Sequence, residues 1–75
     1  MVSGIGAKVK EARKKAGLTQ VELSKAAGIS RSYLDDVEGG RYNPSVKKLV
    51  SIAAVCGVDL NFLVGMLEIQ TSAGA

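Results

Sequence analysis

The chain has no histidine, no tryptophan, one cysteine, one proline and one phenylalanine among its 75 residues. Each scarcity closes off a class of chemistry. A single cysteine cannot form an internal disulfide, which excludes a stapled secreted mini-protein. One cysteine without histidine cannot supply the ligands of a zinc finger, so no metal is expected, and a Cys–His nucleophile is impossible. No apolar run reaches the roughly 18 residues that a membrane span requires. The Met1-Val2-Ser3-Gly4 start leads directly into a charged helical pattern and lacks the apolar core of a secretory signal. No carboxylate pair sits in a pocket-like context, and no phosphate-cradling glycine loop precedes a helix. The expectation is a non-enzymatic protein of a reducing compartment, with no catalytic residues, no cofactor, no small-molecule ligand and no membrane partner.

What is present is a globular composition, 47% hydrophobic and 23% charged. A length of 75 residues predicts one domain over residues 1–75. A domain this small hides only about 60% of the surface of its unfolded chain, so its stability is marginal. The charge is unevenly placed. Residues 1–34 hold seven basic and two acidic side chains, whereas residues 35–75 hold three basic and five acidic ones. The positive half is suited to a polyanion partner, or is simply a solvated lysine face.

Glycine and one Asn-Pro pair punctuate the chain at Gly17, Gly28, Gly39-Gly40, Asn43-Pro44 and Gly57. The segments between them carry helical spacing, and no alternating strand-like stretch occurs. In the first, Ile5, Val9, Ala12 and Ala16 form one stripe, with Lys8, Lys10, Lys14 and Lys15 off it. The second opens on Thr19-Gln20-Val21-Glu22, the pattern of a capping box, with Leu23, Ala26 and Ala27 facing inward. Ser30 caps the third, which points Leu34 and Val37 inward. Ser45 caps the fourth, carrying Val46, Leu49, Val50, Ile52, Ala53 and Cys56. Asp59 caps the fifth, with Leu60, Phe62, Leu63 and Val64. Five short helices with tight connections predict an all-α domain.

The second and third segments meet at a short glycine-containing turn, the spacing of a helix-turn-helix. Gly28 relieves the strain of that turn, and the facing positions Leu23, Ser24, Ala27, Ile29, Leu34 and Val37 are small or apolar. The stretch Leu18-Thr19-Gln20-Val21-Glu22-Leu23-Ser24-Lys25-Ala26-Ala27-Gly28-Ile29-Ser30 resembles the helix-turn-helix core of the Xre/Cro/lambdoid phage repressor family. The resemblance continues through Leu34, Glu38-Gly39-Gly40, Asn43-Pro44-Ser45, Leu49, Ile52 and Ala53, and covers about residues 5–65. It implies a compact five-helix lambda-repressor-like DNA-binding domain, with residues 66–75 as a C-terminal tail. It also implies sequence-specific binding to double-stranded DNA and a two-fold dimer. Ser24 departs from the alanine usual in the family, but serine is small and can bond back to a helical carbonyl.

The resemblance places the third helix, about residues 30–38, in the major groove. There Arg31 can bond guanine O6 and N7 together. Ser32 can meet a base or a phosphate. Asp35 and Asp36 either accept from a cytosine amino group or form a solvated acidic patch. Backbone contacts fall to Gln20, Ser30, Tyr33, Arg41, Tyr42, Asn43 and Lys47, with Lys48 close by analogy. Tyr33 is equally readable as a partly buried aromatic. Arg13 pairs with Glu38 by the same resemblance, and Cys56 reads as a small buried hydrophobe.

The end of the chain, Leu63-Val64-Gly65-Met66-Leu67-Glu68-Ile69, is strongly apolar. Val64, Met66, Leu67 and Ile69 are expected at a homodimer interface, the alternative being that they fold back on the core. The resulting reading is a cytoplasmic, bacterial or phage-encoded transcription regulator, a repressor or controller, on a palindromic operator. Its rival is a protein-interaction module or an antitoxin that reuses the fold, with a toxin or other regulatory protein as partner.

Overall fold

The computed structural model describes residues 4–64. Five helices follow one another: α1 (Gly4–Lys15), α2 (Gln20–Ala27), α3 (Arg31–Glu38), α4 (Val46–Cys56) and α5 (Leu60–Leu63). No strand occurs among the described residues, in agreement with the all-α expectation. None of these helices is long and apolar enough to cross a membrane.

The starts of the helices are set by side chains. Thr19 and Glu22 make both bonds of the capping box: Glu22 N–H donates to Thr19 Oγ1 at 3.1 Å, and Thr19 N–H donates to Glu22 Oε1 at 2.9 Å. Ser30 Oγ accepts from Tyr33 N–H at 3.0 Å and Ser45 Oγ from Lys48 N–H at 3.2 Å. Each such cap contributes about 1 kcal/mol. Asp59 has the backbone geometry of a cap but its side chain makes no capping bond. With only four residues, α5 has little stability of its own and is held by packing, chiefly through the buried Leu63.

The core consists of Val9 and Ala12 of α1, Leu23 of α2, Leu34 and Val37 of α3, Leu49, Ile52 and Ala53 of α4, and Leu63 of α5. Helix α1 packs against α3, α4 and α5, and α2 packs against α3 and α4. Full burial of a Leu, Val or Ile side chain contributes about 1.5–3 kcal/mol, so these few residues supply most of what holds a small domain together. Ser24 shares the interior. It is 4% exposed, and its hydroxyl donates to the Val21 carbonyl at 2.9 Å.

Several apolar positions of the helical segments are not buried. Ala16 is exposed because α1 stops at Lys15 and the chain turns away. Ala26 is exposed, and Ser24 rather than Ala26 fills the inner position. Val46 and Val50 are 68% and 49% exposed, four residues apart on a face of α4 beside the buried Leu49 and Ile52. A further feature, Gly6, has no periodicity to announce it. It is buried where α1 crosses α3, and a Cβ there would collide with the Val37 carbonyl oxygen and lie 3.1 Å from that of Glu38.

Candidate nucleic-acid interface

Helices α2 and α3 are joined by Gly28, Ile29 and Ser30. Gly28 has φ +72°, a left-handed conformation that an L side chain adopts only with strain. This turn lets Ile29 N–H donate to the Ser24 carbonyl at 3.0 Å while Ile29 packs against the core. Helix α3 is therefore anchored on one face by Leu34 and Val37. Its opposite face presents Arg31, Ser32 and Asp35, all exposed, with Asp36 and Tyr33 half-buried at its sides. Arg31 and Ser32 at its N-terminal end are exposed, and Asp35 is met by Gln20 and Arg41.

The C-terminal end of α3 is fixed by an ion pair. Arg13 Nε donates to Glu38 Oε2 at 2.7 Å and Nη2 to Oε1 at 3.1 Å, while Nη1 donates to the Leu18 carbonyl at 3.0 Å. The hydrogen bond with Glu38 raises the Arg13 guanidinium above its already high ordinary value, against the opposing effect of burial. Cys56 lies near this pair. Burial pushes its thiol up, Glu38 adds to the shift and Arg13 opposes it. Cys56 is half-buried and keeps a free thiol, a small hydrophobe at the edge of the core.

Gln20, first residue of α2, reaches across to α3. Its amide nitrogen donates to Asp35 Oδ1 and to Glu38 Oε1, each at 3.2 Å. Beyond α3, the Arg41 guanidinium lies on Asp35 and Asp36, with Nη2 at 3.2 Å and 3.0 Å from their carboxylate oxygens. Tyr42 packs edge-on to Tyr33, their ring centroids 5.1 Å apart, and Lys48 Nζ lies 5.9 Å from the centre of the Tyr33 ring. Burial and the neighbouring Tyr42 raise the Tyr33 hydroxyl, and a backbone hydrogen bond from Ser45 works the other way. Ser30, Asn43 and Lys47 are exposed. Arg31, Ser32, Asp35, Gln20, Tyr33, Arg41 and Tyr42 are thus gathered along α3, the start of α2 and the loop before α4.

The helix-turn-helix family model matches residues 9–63. The chain belongs to the helix-turn-helix family. It is 52% identical over 66 residues to the ImmF control region 10 kDa protein of Bacillus phage phi105, covering 88% of this chain and 72% of that protein. It is 44% identical over 61 residues to the immunity repressor protein of the same phage, covering 81% of this chain and 42% of the repressor. The chain thus matches less than half of that repressor's length. It is also similar to the crystal structure of SinR, the master regulator for biofilm formation, in complex with DNA. The TM-score is 0.77 at 36% identity, covering 80% of this chain and 97% of that one.

For a helix-turn-helix domain, three of these contacts carry no sequence signal of their own. Gln20 bridging two acids, Tyr33 packing on Tyr42, and Lys48 over the Tyr33 ring all depend on the approach of separate elements. Arg41 is different. Gly40 turns left-handed at φ +78°, and Arg41 N–H donates to the Asp36 carbonyl at 2.9 Å. The spacing Asp36…Gly40-Arg41 therefore encodes the contact, because a helix-ending turn at glycine lays the following residue on the last helical turn. Of the residues expected at a dimer interface, Val64 is half-buried and packs against the core. Met66, Leu67 and Ile69 lie outside the described residues.

Proposed function

We propose that the chain is a sequence-specific, double-stranded-DNA-binding transcription regulator that places α3 in the major groove. The observation that carries this reading is the division of α3. One face is locked to the body by Leu34, Val37 and the Arg13–Glu38 pair, and the other opens to solvent with Arg31 and Ser32 at its N-terminal end. That end is the part of such a helix that meets base edges. Similarity to a phage immunity repressor and to a regulator solved on DNA supports the same reading.

In this arrangement Arg31 reads guanine, and Ser32, Asp35 and Asp36 line the same groove. Gln20, Ser30, Tyr33, Tyr42, Asn43 and Lys47 border the groove and bond the sugar-phosphate backbone, and Arg41 is poised to join them. The protein acts by occupying promoter DNA rather than by catalysis, in the cytoplasm, as a repressor or controller. A single short helix reads too few base pairs to select a site in a genome, which favours a homodimer on a palindromic operator. Half-sites then lie about one helical turn apart. The apolar residues Val64, Met66, Leu67 and Ile69 are proposed to form the dimer contact. Deletion after Gly65 is expected to yield monomers in sedimentation, and unchanged dimers would move the contact elsewhere.

The decisive experiment is selection of bound duplexes from a random pool, followed by measurement of Arg31→Ala on the selected and a scrambled duplex. Arg31→Ala is expected to lose about 1–3 kcal/mol of discrimination at one base pair. Equal loss on both duplexes would make Arg31 a backbone contact. A second reading, a protein-interaction module or antitoxin, is favoured by the exposed Asp35 carboxylate, which repels phosphate. Salt separates the two. Binding through several phosphates weakens steeply with salt, and an apolar protein contact does not.

A further inference from the structure

Helices α1, α2, α3 and α4 end on the same turn, in which an amide reaches back to the carbonyl five residues earlier. The bonds are Leu18 to Arg13, Ile29 to Ser24, Arg41 to Asp36 and Val58 to Ala53, at 3.1, 3.0, 2.9 and 3.0 Å. This turn sets the side chain of the first residue beside the second, ordinarily as an apolar contact. Leu18, Ile29 and Val58 are apolar and pack against the core. At the end of α3 the apolar residue is replaced by Arg41, and the residue it is laid against is Asp36.

The replacement is built in detail. Arg41 Nε donates to Asp36 Oδ1 at 3.1 Å and Nη2 to Asp35 Oδ2 at 3.2 Å. The guanidinium passes over Gly39, where a Cβ would come within 2.8 Å of Nη1. The C-terminal end of a helix also favours a cation. Yet the side chains of Arg41, Asp35 and Asp36 are 61%, 57% and 50% exposed, so the cluster exchanges readily with solvent and other anions.

Resting on the DNA-binding reading above, we infer that Asp35 and Asp36 are an internal stand-in for DNA phosphate. They hold Arg41 off the nucleic-acid backbone except at sites whose bases engage the two carboxylates. A guanidinium offers carboxylate and phosphate the same planar fork. On an arbitrary duplex Arg41 gains a phosphate only by abandoning two carboxylates, which then face the duplex uncompensated. Where the groove presents cytosine amino groups, the carboxylates gain donors and Arg41 is released to the backbone. The cluster therefore suppresses indiscriminate binding and raises selectivity without adding a contact to wrong sites.

The test compares wild type, Arg41→Gln, the double variant Asp35→Asn/Asp36→Asn and the triple variant, each titrated with the selected and the scrambled duplex over a range of salt. On the scrambled duplex Arg41→Gln is expected to lower affinity a few-fold, because the two carboxylates then face the duplex without their cation, while leaving the salt slope nearly unchanged. The double variant is expected to bind it about tenfold tighter, with a slope steeper by about one phosphate contact. Both gains should shrink to a few-fold and to no added slope in the triple variant. On the selected duplex the double variant should bind more weakly, so the preference for it collapses. An equal gain with and without Arg41 would reduce the effect to bulk charge and overturn the inference. So would a loss of one unit of slope in Arg41→Gln alone, the mark of an independent phosphate contact. Absence of salt-dependent binding by wild type to any duplex would instead defeat the DNA-binding reading itself, and the inference with it.

Discussion

Arg13 and Glu38, from α1 and the last turn of α3, form a two-pronged ion pair whose side chains are only 11% and 4% exposed. The pair fixes the exposed helix from its C-terminal end, and Gln20 adds a third bond to the same carboxylate. Charges this poorly solvated need each other more than they attract each other. Arg13→Ala is expected to lower the free energy of unfolding by about 3 kcal/mol, because it strands Glu38. Arg13→Lys should recover less than half of that, since a point charge cannot serve both carboxylate oxygens and the Leu18 carbonyl together. Urea midpoints measure both. A loss under about 1 kcal/mol for the alanine variant would show the pair to be energetically idle.

The crossing of α1 and α3 supplies a second test. Alanine normally improves a helix interior by about 1 kcal/mol over glycine. At Gly6 the added methyl meets the backbone carbonyl of Val37, which no rotamer can relieve. Gly6→Ala is expected to destabilise by about 1–3 kcal/mol despite its better propensity. Thermal unfolding decides the sign, and a stabilised variant would mean that the two helices have room between them.

These two residues also mark the boundary of what the sequence discloses. Caps, stops and most of the core follow from local rules. Thr19 and Glu22 announce their own box, Gly28 its turn, and Leu34 and Val37 their common face. Gly6 follows no local rule, because its reason lies in a carbonyl on another helix. The exposure of Val46 and Val50 is equally non-local. Nothing in their own helix distinguishes them from Leu49 and Ile52, and the positions of α1, α2 and α5 decide which side is covered. For the candidate interface, Arg31 and Ser32 are readable from their place after a helix cap. The engagement of Asp35 by both Gln20 and Arg41 requires three elements to be assembled first.

Cys56 carries a pH dependence. Burial is the main cause of its raised value, so folding favours the neutral thiol. The associated stability is fully present below the thiol's ordinary value of 9.0 and is lost as pH rises through the raised folded value. Stability curves measured from neutral to alkaline pH should therefore fall less steeply above pH 9 in Cys56→Ala than in wild type. At neutral pH, alkylation of Cys56 in the native protein is expected to be several-fold slower than in the urea-unfolded chain. Equal rates would show that the fold neither shields the thiol nor shifts its ionisation.

Ser30 has two duties in the proposed reading, cap and backbone contact, and a pair of substitutions tells them apart. Its hydroxyl accepts from Tyr33 N–H at 3.0 Å, and the residue is exposed at the start of the proposed recognition helix. Loss of the cap costs about 1 kcal/mol in Ser30→Ala but only a few tenths in Ser30→Gly. Because the hydroxyl is proposed to touch the DNA backbone as well, both variants are expected to lose affinity for the selected duplex by the same factor, although their unfolding midpoints differ. If affinity instead follows stability, with the glycine variant binding nearly as wild type does, Ser30 is a cap alone. Its position beside Arg31 then contributes only by holding the first turn of α3 in shape.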